Sequence, residues 1–317
     1  MTRNKPPIRV GTRGSLLALT QTRQFIERLR ALRPEQAVEE VIIKTKGDII
    51  QDVPLSKIGD KGLFTKEIEQ ALLSGAVALG VHSMKDMPGR LPEGLGFGVI
   101  TERVDARDAF LSLHWPDLHA LPEGARVGTS SLRRRAQLLR LRPDLTIGDL
   151  RGNVDTRLRK LQEGGYDAII LAAAGLTRLG KDGAITCHVP VEEMVPAVGQ
   201  GVLAIEIRDD DDALRDLLAP LHHGPTALAV AAERAFLTAL EGGCQVPMAA
   251  HAAVRGGRLR MEAMIASLDG RTVYSRSSDS ALTEADARAM GVQTARALLG
   301  MGGAEILKSI KEGGLLP

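Results

Sequence analysis

Cys244 is one of only two cysteines in this 317-residue chain, and its neighbours are unusual for a thiol. The stretch EGGCQVP places it between a glycine pair and a Val-Pro step, whereas a structural cysteine normally packs in an apolar strand or helix. A thiol flanked by glycines is accessible, and a ligand can approach it closely. The sequence therefore favours a functional role for Cys244 over a structural one.

Two common roles of a reactive cysteine have little support in the sequence. His251 and the pair His222 and His223 could suggest a metal site or a Cys–His dyad, but their spacing does not resemble that of a zinc site. No base and no oxyanion hole can be assigned around the thiol, which disfavours a peptidase nucleophile. We predict no metal.

A second candidate for chemistry is the stretch VHSMKDMPG, which ends an apolar strand with Ser83, Lys85 and Asp86. Ligands in α/β folds bind beyond the carboxyl ends of the strands, so these polar groups are expected to face a ligand. An ionised carboxylate there can stabilise a developing cation and move a proton. Asp86 is the predicted catalytic residue; the alternative is a solvated turn after a strand.

Arginines collect where strands lead into helices. The stretch GTSSLRRR places Thr129, Ser130 and Ser131 at a predicted helix start, followed by three arginines in the first turn. Free backbone N–H groups and the positive end of the dipole bind anions there, whereas cations favour the opposite end of a helix. An arrangement that costs helix stability needs a negative partner, so we predict an anion site.

The same arrangement recurs along the chain. LRGNVDTRL places Arg151 at a strand end, Asn153 at a helix cap and Arg157 in the next helix. Further members of the set are Arg13 and Ser15 in VGTRGS, Arg178 in LAAAGLTRLG, and Lys57 and Lys61 in a polar stretch that we predict to be a lid loop, residues 47 to 61. Several cations at equivalent junctions indicate a ligand with many negative groups.

Other anionic partners fit less well. Lys and Arg number 41 and Asp and Glu 39, which leaves a formal net charge of +2 and little support for a nucleic-acid partner. The GTSSLRRR stretch has no helix-turn-helix context. A phosphate loop is disfavoured because there is no Walker pattern and no GxGxxG after the first strand.

The bulk composition is that of a soluble globular protein, with 44% hydrophobic and 25% charged residues. The first ten residues lack the apolar core of a signal peptide, and no stretch approaches a membrane span. We expect a cytoplasmic protein in which Cys187 and Cys244 are free thiols. The role of Cys187 stays open.

The elements that position these residues alternate between strand and helix over the first 200 residues. The stretch IRVGTRGS, in which Ser15 is a predicted helix cap, is repeated by ARVGTSS. The later apolar strands in GAVALGVHSMKDM and GGYDAIILAAAGL also resemble each other. This predicts an α/β fold of two similar lobes with mainly parallel sheets. The expected ligand site is a cleft between the lobes.

The remainder of the chain predicts a third, smaller domain. PAVGQGVLAIEIR is expected to add one strand to the first lobe, and three strands with Gly-Gly and Asp-Gly turns then form an antiparallel sheet. Thr283 opens the last predicted helix with Asp286 in a capping-box position. The predicted boundaries are 1–101 with 200–220 for the first lobe, 102–199 for the second, and 221–317 for a C-terminal α+β domain.

Eight spaced motifs resemble those of the porphobilinogen deaminases, or hydroxymethylbilane synthases, in the order of that family. They are TRGSLLAL, KGLFTKEIE, VHSMKDMP, DARDAF, GTSSLRRR, LRGNVDTRL, AVGQG and EGGCQVP. The resemblance spans nearly the whole chain. It implies two lobes arranged like those of periplasmic binding proteins, with the small third domain carrying the cofactor cysteine.

The resemblance also implies an activity. Members of that family carry a dipyrromethane cofactor on a thioether at the position of Cys244. They add four porphobilinogen units head to tail with loss of ammonia, and water then releases hydroxymethylbilane. Asp86 is expected to stabilise the azafulvene cation formed when ammonia leaves, to protonate the amine, and to accept the pyrrole proton.

The resemblance assigns ligand contacts residue by residue. The implied cofactor contacts besides Cys244 are Ser83, Lys85, Thr129, Ser131, Arg133, Arg134, Arg151, Gly152, Asn153, Arg157, Ala172 and Gln200. The implied substrate contacts are Arg13, Ser15, Arg151, Arg157, Arg178, Lys57, Lys61 and Phe64. Arg135 receives no assignment, and a surface role is favoured for it.

The implied partner is porphobilinogen, with no nucleic acid, no membrane and a monomeric state. The alternative from another class is a non-catalytic two-lobed anion sensor or binding protein. That alternative explains the arginines but leaves Asp86 and Cys244 without a role.

Overall fold

The computed structural model describes residues 6–49, 62–240 and 246–312. Within these ranges the chain forms two compact units. Unit one comprises 6–49, 62–103 and 202–227, and unit two comprises 104–201, 228–240 and 246–312. None of the helices in the described ranges combines the length and apolar character of a membrane span.

The strands follow one another as β1 (Ile8–Thr12), β2 (Val38–Ile42), β3 (Leu79–Ser83), β4 (Leu95–Ile100), β5 (Asp108–Leu111), β6 (Arg126–Gly128), β7 (Thr146–Gly148), β8 (Ala168–Ala172), β9 (Cys187–Val189), β10 (Leu203–Arg208), β11 (Met248–Arg255), β12 (Arg258–Ala266) and β13 (Val273–Ser280). The helices are α1 (Leu16–Leu32), α2 (Lys46–Ile49), α3 (Lys66–Leu73), α4 (Leu132–Leu141), α5 (Val154–Gln162), α6 (Ala173–Arg178), α7 (Asp212–Leu218), α8 (Gly224–Ala239), α9 (Glu284–Leu298) and α10 (Ala304–Glu312).

Unit one is built on a five-stranded sheet in the order β2-β1-β3-β10-β4. The strands β1, β2 and β3 are parallel, and β10 runs antiparallel to both of its neighbours. The strand predicted in PAVGQGVLAIEIR is β10, and it joins this first sheet. The apolar side chains of the sheet pack against α1, for example Val10 and Leu79 against Phe25 and Leu29.

Unit two contains a second five-stranded sheet, in the order β7-β6-β8-β5-β9. Here β6, β7 and β8 are parallel and β5 is the antiparallel strand. The two sheets thus share one topology: four strands run in one direction, and one strand, β10 or β5, lies among them in the opposite direction. This confirms the prediction of an α/β fold with two similar, mainly parallel sheets.

Local sequence explains how the helices of the two sheets begin. Ser15 caps α1 by accepting the N–H of Ala18, and Ser131 caps α4 by accepting the N–H of Arg134. Asn153 caps α5 through the N–H of Thr156 at 2.9 Å. Each cap satisfies a backbone donor that the first turn of a helix leaves free.

The third sheet, β11-β12-β13, is antiparallel and also belongs to unit two. Gly256 and Gly257 join β11 to β12 with φ angles of 56° and 74°, the positive values that a two-residue hairpin turn requires. One face of this sheet packs on α8, α9 and α10 in a core that includes Phe236, Met261 and Leu298. The predicted three-stranded sheet is confirmed.

Two local predictions need correction. The helix that Thr283 caps is not the last one: it continues through a π-helical segment, Leu299–Gly303, into α10. Gly302 has a φ of 120°, which interrupts the regular helix. The predicted lid loop, 47 to 61, starts inside the short helix Lys46–Ile49, and residues 50 to 61 lie outside the described ranges. The three domain boundaries remain a prediction.

Candidate active site

The carboxyl edge of the second sheet holds a buried aspartate. Because β5 runs antiparallel to β8, its first residue lies where β8 ends, and Asp108 pairs with Ala172. Asp108 is fully buried. A charged group in such a position requires compensating partners.

Two arginines from the first turn of α4 supply those partners. Arg133 donates from Nη2 to Oδ2 of Asp108 at 2.8 Å, and Arg134 donates from Nε and Nη2 to Oδ1 at 3.1 and 2.7 Å. Their remaining contacts are with backbone carbonyls, those of Val195 and Ile170 respectively. Both arginines are themselves buried, so two positive charges share one negative charge in a low-dielectric region.

The ion pairs set the protonation state of Asp108. Burial by itself would raise the pKa of Asp108, but the charges of Arg133 and Arg134 and hydrogen bonds from Arg134 and Gln200 outweigh it. The pKa of Asp108 therefore lies far below its ordinary value, and the group is ionised at neutral pH. The amide of Gln200 donates to Asp108 at 2.9 Å and to the carbonyl of Ala106 at 2.7 Å.

Arg157 extends the positive region without a carboxylate partner among the described residues. Its Nε donates to the carbonyl of Gly152 at 2.8 Å. Burial, together with the charges of Arg134 and Arg151, lowers the pKa of Arg157 to about 10. A lowered arginine pKa shows that the charged form is disfavoured here, which an anionic ligand would reverse.

The other predicted contacts of unit two lie along the same edge or close to it. Thr129 follows β6 and accepts the N–H of Ser131, and Ala172 precedes α6. Gly152 has a φ of 109°, so a side chain there would be strained. Arg178 is buried and donates from Nη2 to the carbonyl of Gly201 at 2.8 Å.

The carboxyl edge of the first sheet carries Ser83, Lys85 and Asp86, all half-buried. Ser83 is the last residue of β3 and exchanges hydrogen bonds with the amide of Gln21 at 3.1 and 3.3 Å. Lys85 and Asp86 follow in a short 3₁₀ turn, Met84–Asp86. Within the described residues, no ion pair of the Asp86 carboxylate is found.

Arg13 lies at the same edge, directly after β1. Its Nε lies 3.2 Å from Oδ1 of Asp48, and its guanidinium stacks 4.1 Å from the ring centroid of Phe64. Burial would raise the pKa of Asp48, but hydrogen bonds from Arg13 and Thr45 lower it below its ordinary value. Arg13 and Phe64, both predicted substrate contacts, are thus brought together.

Some sequence predictions have no structural counterpart to compare. Cys244, Lys57 and Lys61 lie outside the described residues.

Arg135, for which a surface role was favoured, is half-buried, and its Nε has no hydrogen-bond partner within the described ranges. No group of three metal-binding side chains occurs in the part of the chain that the structure describes.

Sequence reasoning missed the carboxylates that hold the arginines. Asp108 lies in the DARDAF motif and Asp48 follows β2, but neither was selected as a site residue. The available signal was an aspartate at the start of an apolar strand, where a charged residue is poorly placed unless it has a partner. The partners come from residues 25 and 26 positions away, which local patterns do not reveal.

The fold is that of an α/β protein in which one sheet edge carries a buried arginine pair on Asp108 and the other carries Arg13 and an aspartate, Asp86, without an ion pair in the described residues. Two family models match the chain: "Porphobilinogen deaminase, dipyromethane cofactor binding domain" over residues 8–216 and "Porphobilinogen deaminase, C-terminal domain" over 227–300. The chain belongs to the porphobilinogen deaminase family.

Curated relatives agree with this assignment. A porphobilinogen deaminase of Syntrophobacter fumaroxidans is 50% identical over 303 residues, which cover 96% of this chain and 97% of the relative. One of Nitratidesulfovibrio vulgaris (strain DSM 19637 / Miyazaki F) is 52% identical over 304 residues, with 95% and 96% covered. They support the enzyme over the non-catalytic alternative.

A solved structure with a related chain path is a putative methionine-binding lipoprotein of Bacillus subtilis. It has a TM-score of 0.43 and 11% sequence identity, and the match covers 69% of this chain and 91% of that one. This likeness is too distant to support a functional conclusion.

Proposed function

We propose that the chain is a deaminating transferase that joins four porphobilinogen molecules head to tail on a dipyrromethane primer and releases hydroxymethylbilane. The observation that carries the proposal is the buried arginine cluster in a member of the porphobilinogen deaminase family. Porphobilinogen bears an acetate and a propionate, so each pyrrole brings two carboxylates to the site. Arginine is the side chain best suited to pair with them.

The residues of unit two fit the dipyrromethane. Arg133 and Arg134 have one carboxylate between them, and Arg157 has its pKa lowered to about 10 by burial and by Arg134 and Arg151. This positive excess matches a ligand with four carboxylates. When bound, the cofactor supplies the free pyrrole position on which the chain grows.

The proposed cofactor contacts follow the sequence predictions. They are Ser83, Lys85, Thr129, Ser131, Arg133, Arg134, Arg151, Gly152, Asn153, Arg157, Ala172 and Gln200, with Arg13, Ser15, Phe64, Arg178, Lys57 and Lys61 for substrate. For Gln200 the geometry supports an indirect part, because its amide donates to Asp108. It thereby holds the aspartate that orients the two arginines.

Asp86 is the proposed catalytic residue. The acid gives a proton to the leaving amine, and the carboxylate that remains stabilises the positive charge on porphobilinogen. It regains a proton from the pyrrole carbon once the new carbon–carbon bond has formed. A carboxylate that is already committed to an arginine pair is a poorer choice for this role. Among the described carboxylates at the two edges, Asp108 and Asp48 are so committed and Asp86 is not.

Cys244 is the proposed point of attachment. The other thiol, Cys187, is half-buried on β9. Burial, with the nearby charges of Asp117 and Glu193, raises the pKa of Cys187. A raised pKa disfavours the thiolate, which is the nucleophilic form. This supports Cys244 as the cysteine that forms the thioether.

The proposal extends to the setting of the enzyme. We assign it to the cytoplasm as a monomer without a nucleic-acid partner. The net charge of +2 supports the last point. We keep the division into two lobes and a C-terminal domain, with boundaries at 101/102, 199/200 and 220/221.

Intact-mass spectrometry of the purified chain tests the proposal directly. The expected mass exceeds the sequence mass by a two-pyrrole adduct, and Cys244→Ala removes the excess while Cys187→Ala keeps it. Incubation of wild-type protein with porphobilinogen releases ammonia. An adduct that persists in Cys244→Ala would overturn the assignment of the attachment point, and a chain without adduct or turnover would overturn the function.

A further inference from the structure

A buried glutamate on α8 joins two segments that are far apart in the chain. Glu233 is fully buried. One carboxylate oxygen accepts the N–H of Gly199 at 2.7 Å, and the other accepts the N–H of Ala252 at 2.7 Å. Gly199 precedes β10, whereas Ala252 lies in β11. One side chain of unit two therefore connects three segments of that unit: its own part of α8, the turn at Gly199 and strand β11.

The turn that contains Gly199 also contains the residue that contacts Asp108, the partner of Arg133 and Arg134. Gly199 and Gly201 have φ angles of 70° and 86°, so the residue between them lies in a tight turn that few sequences can form. That residue is Gln200, and its side chain donates to Asp108. Asp108 in turn accepts from both Arg133 and Arg134.

The same helix leads toward the proposed attachment point. α8 ends at Ala239, and Cys244 follows five residues later in the sequence. Glu233 is thus on the element that precedes the thioether cysteine and contacts the segment that orients the cofactor arginines. A displacement of the 199–201 turn would change the position of Gln200 and, through Asp108, that of both guanidinium groups.

We propose that Glu233 is a positioning residue for dipyrromethane binding, which acts through Gly199 and Gln200 on Asp108 and the pair Arg133 and Arg134. This rests on the proposed function. A buried carboxylate is costly, and a core that needed only stability would use an apolar residue at this place. Each carboxylate oxygen accepts a different backbone donor, and Oε1 also lies 3.7 Å from Nδ1 of His251.

Glu233→Gln tests the proposal with little change in shape. The amide oxygen of glutamine can accept only one of the two N–H groups, so the connection between Gly199 and Ala252 is broken whichever way the amide turns. In the full-length protein, we expect the share of chains with the two-pyrrole adduct to fall at least threefold. The KM for porphobilinogen should rise at least fivefold, with kcat per adduct-bearing chain changed less than twofold.

Met290→Ala is the matched control. Met290 lies on α9 in the same apolar core as α8, and truncating it lowers stability without removing a polar contact. With a comparable loss in Tm, this variant should keep the wild-type adduct share and KM. If Glu233→Gln behaves like Met290→Ala, the role of Glu233 is only structural and the proposal fails.

A double-mutant cycle with Gln200→Leu checks the route. If Glu233 acts through Gln200, the two substitutions together raise KM by clearly less than the product of their separate effects. Independent, multiplicative effects would overturn the route. Should Glu233→Gln not fold, Glu233→Asp, which keeps the charge but shortens the reach, takes its place in the cycle. A wild-type chain without adduct or turnover refutes the proposed function instead.

Discussion

The carboxyl edges of the two sheets have the same topology but use their carboxylates differently. In the first sheet Ser83, the last residue of β3, lies opposite the buried Leu203 of the antiparallel strand. In the second sheet the equivalent pair is Ala172 opposite Asp108. The polar member of the pair, Ser83, is on the parallel strand β3 in the first sheet. In the second sheet it is Asp108, on the antiparallel strand β5, so a carboxylate lies inside that sheet.

This difference separates two tasks. Asp108 is surrounded by Arg133, Arg134 and Gln200, and its charge is used to hold those groups in place. Asp86, in the turn after β3, keeps its carboxylate outside such a pair within the described residues. In the proposed function, the edge with Asp108 organises the binding surface and the edge with Asp86 supplies the reacting acid.

Substitution of Asp86 should have the largest effect on catalysis. In Asp86→Asn the charge that stabilises the developing cation and the group that moves the proton are both lost, so kcat should fall at least about 10⁴-fold. Stopped-time assays of ammonia release measure it. Tm and the mass adduct should stay close to wild type, and a turnover within tenfold of wild type would remove Asp86 from the mechanism.

Asp108→Asn should instead affect folding and loading. Removing the carboxylate leaves Arg133 and Arg134 buried without their counter-charge, which costs about 3–5 kcal/mol of unfolding free energy. Denaturant titration measures the loss. Per adduct-bearing chain, kcat should stay far closer to wild type than in Asp86→Asn. The comparison between the edges breaks down if Asp108→Asn is stable but inactive.

The pH dependence of the same variant sharpens the assignment. The pKa of Asp108 is lowered in the folded state, so its stabilisation is fully present above the unfolded-state pKa of about 4 and is lost as pH falls toward the folded value. The difference in unfolding free energy between wild type and Asp108→Asn should be constant from about pH 8 to pH 5. It should narrow below about pH 4, and a difference that narrows already near pH 6 would contradict the ion pair.

Arg157→Leu should show the smallest effect on stability, with the opposite sign. Because burial and two neighbouring arginines disfavour the charge of Arg157, its removal from cofactor-free protein should raise Tm by about 2 °C, or roughly 1 kcal/mol. Calorimetry in the Cys244→Ala background measures it. In the protein that retains Cys244, the same substitution should lower the share of chains with the adduct. A lowered Tm in the Cys244→Ala background would contradict the unfavourable charge at Arg157.

The sequence by itself determined the local features and the class of fold. The alternation of strand and helix, the caps at Ser15, Ser131 and Asn153, and the hairpin turn at Gly256 and Gly257 all follow from short-range patterns. The spaced motifs indicated the family, and the arginines at strand ends predicted an anionic ligand. These features are decided within a few residues, so a linear chain displays them.

Only the tertiary structure decided which groups meet. The insertion of β5 between β8 and β9 brings Asp108 to the arginines, and the helix α8 brings Glu233 to Gly199. Such contacts depend on strand order and register across 25 or more residues, which no local pattern specifies. A buried charge is tolerated only where those long-range partners are in place. The roles of Asp108 and Glu233 can therefore be identified only in the folded chain.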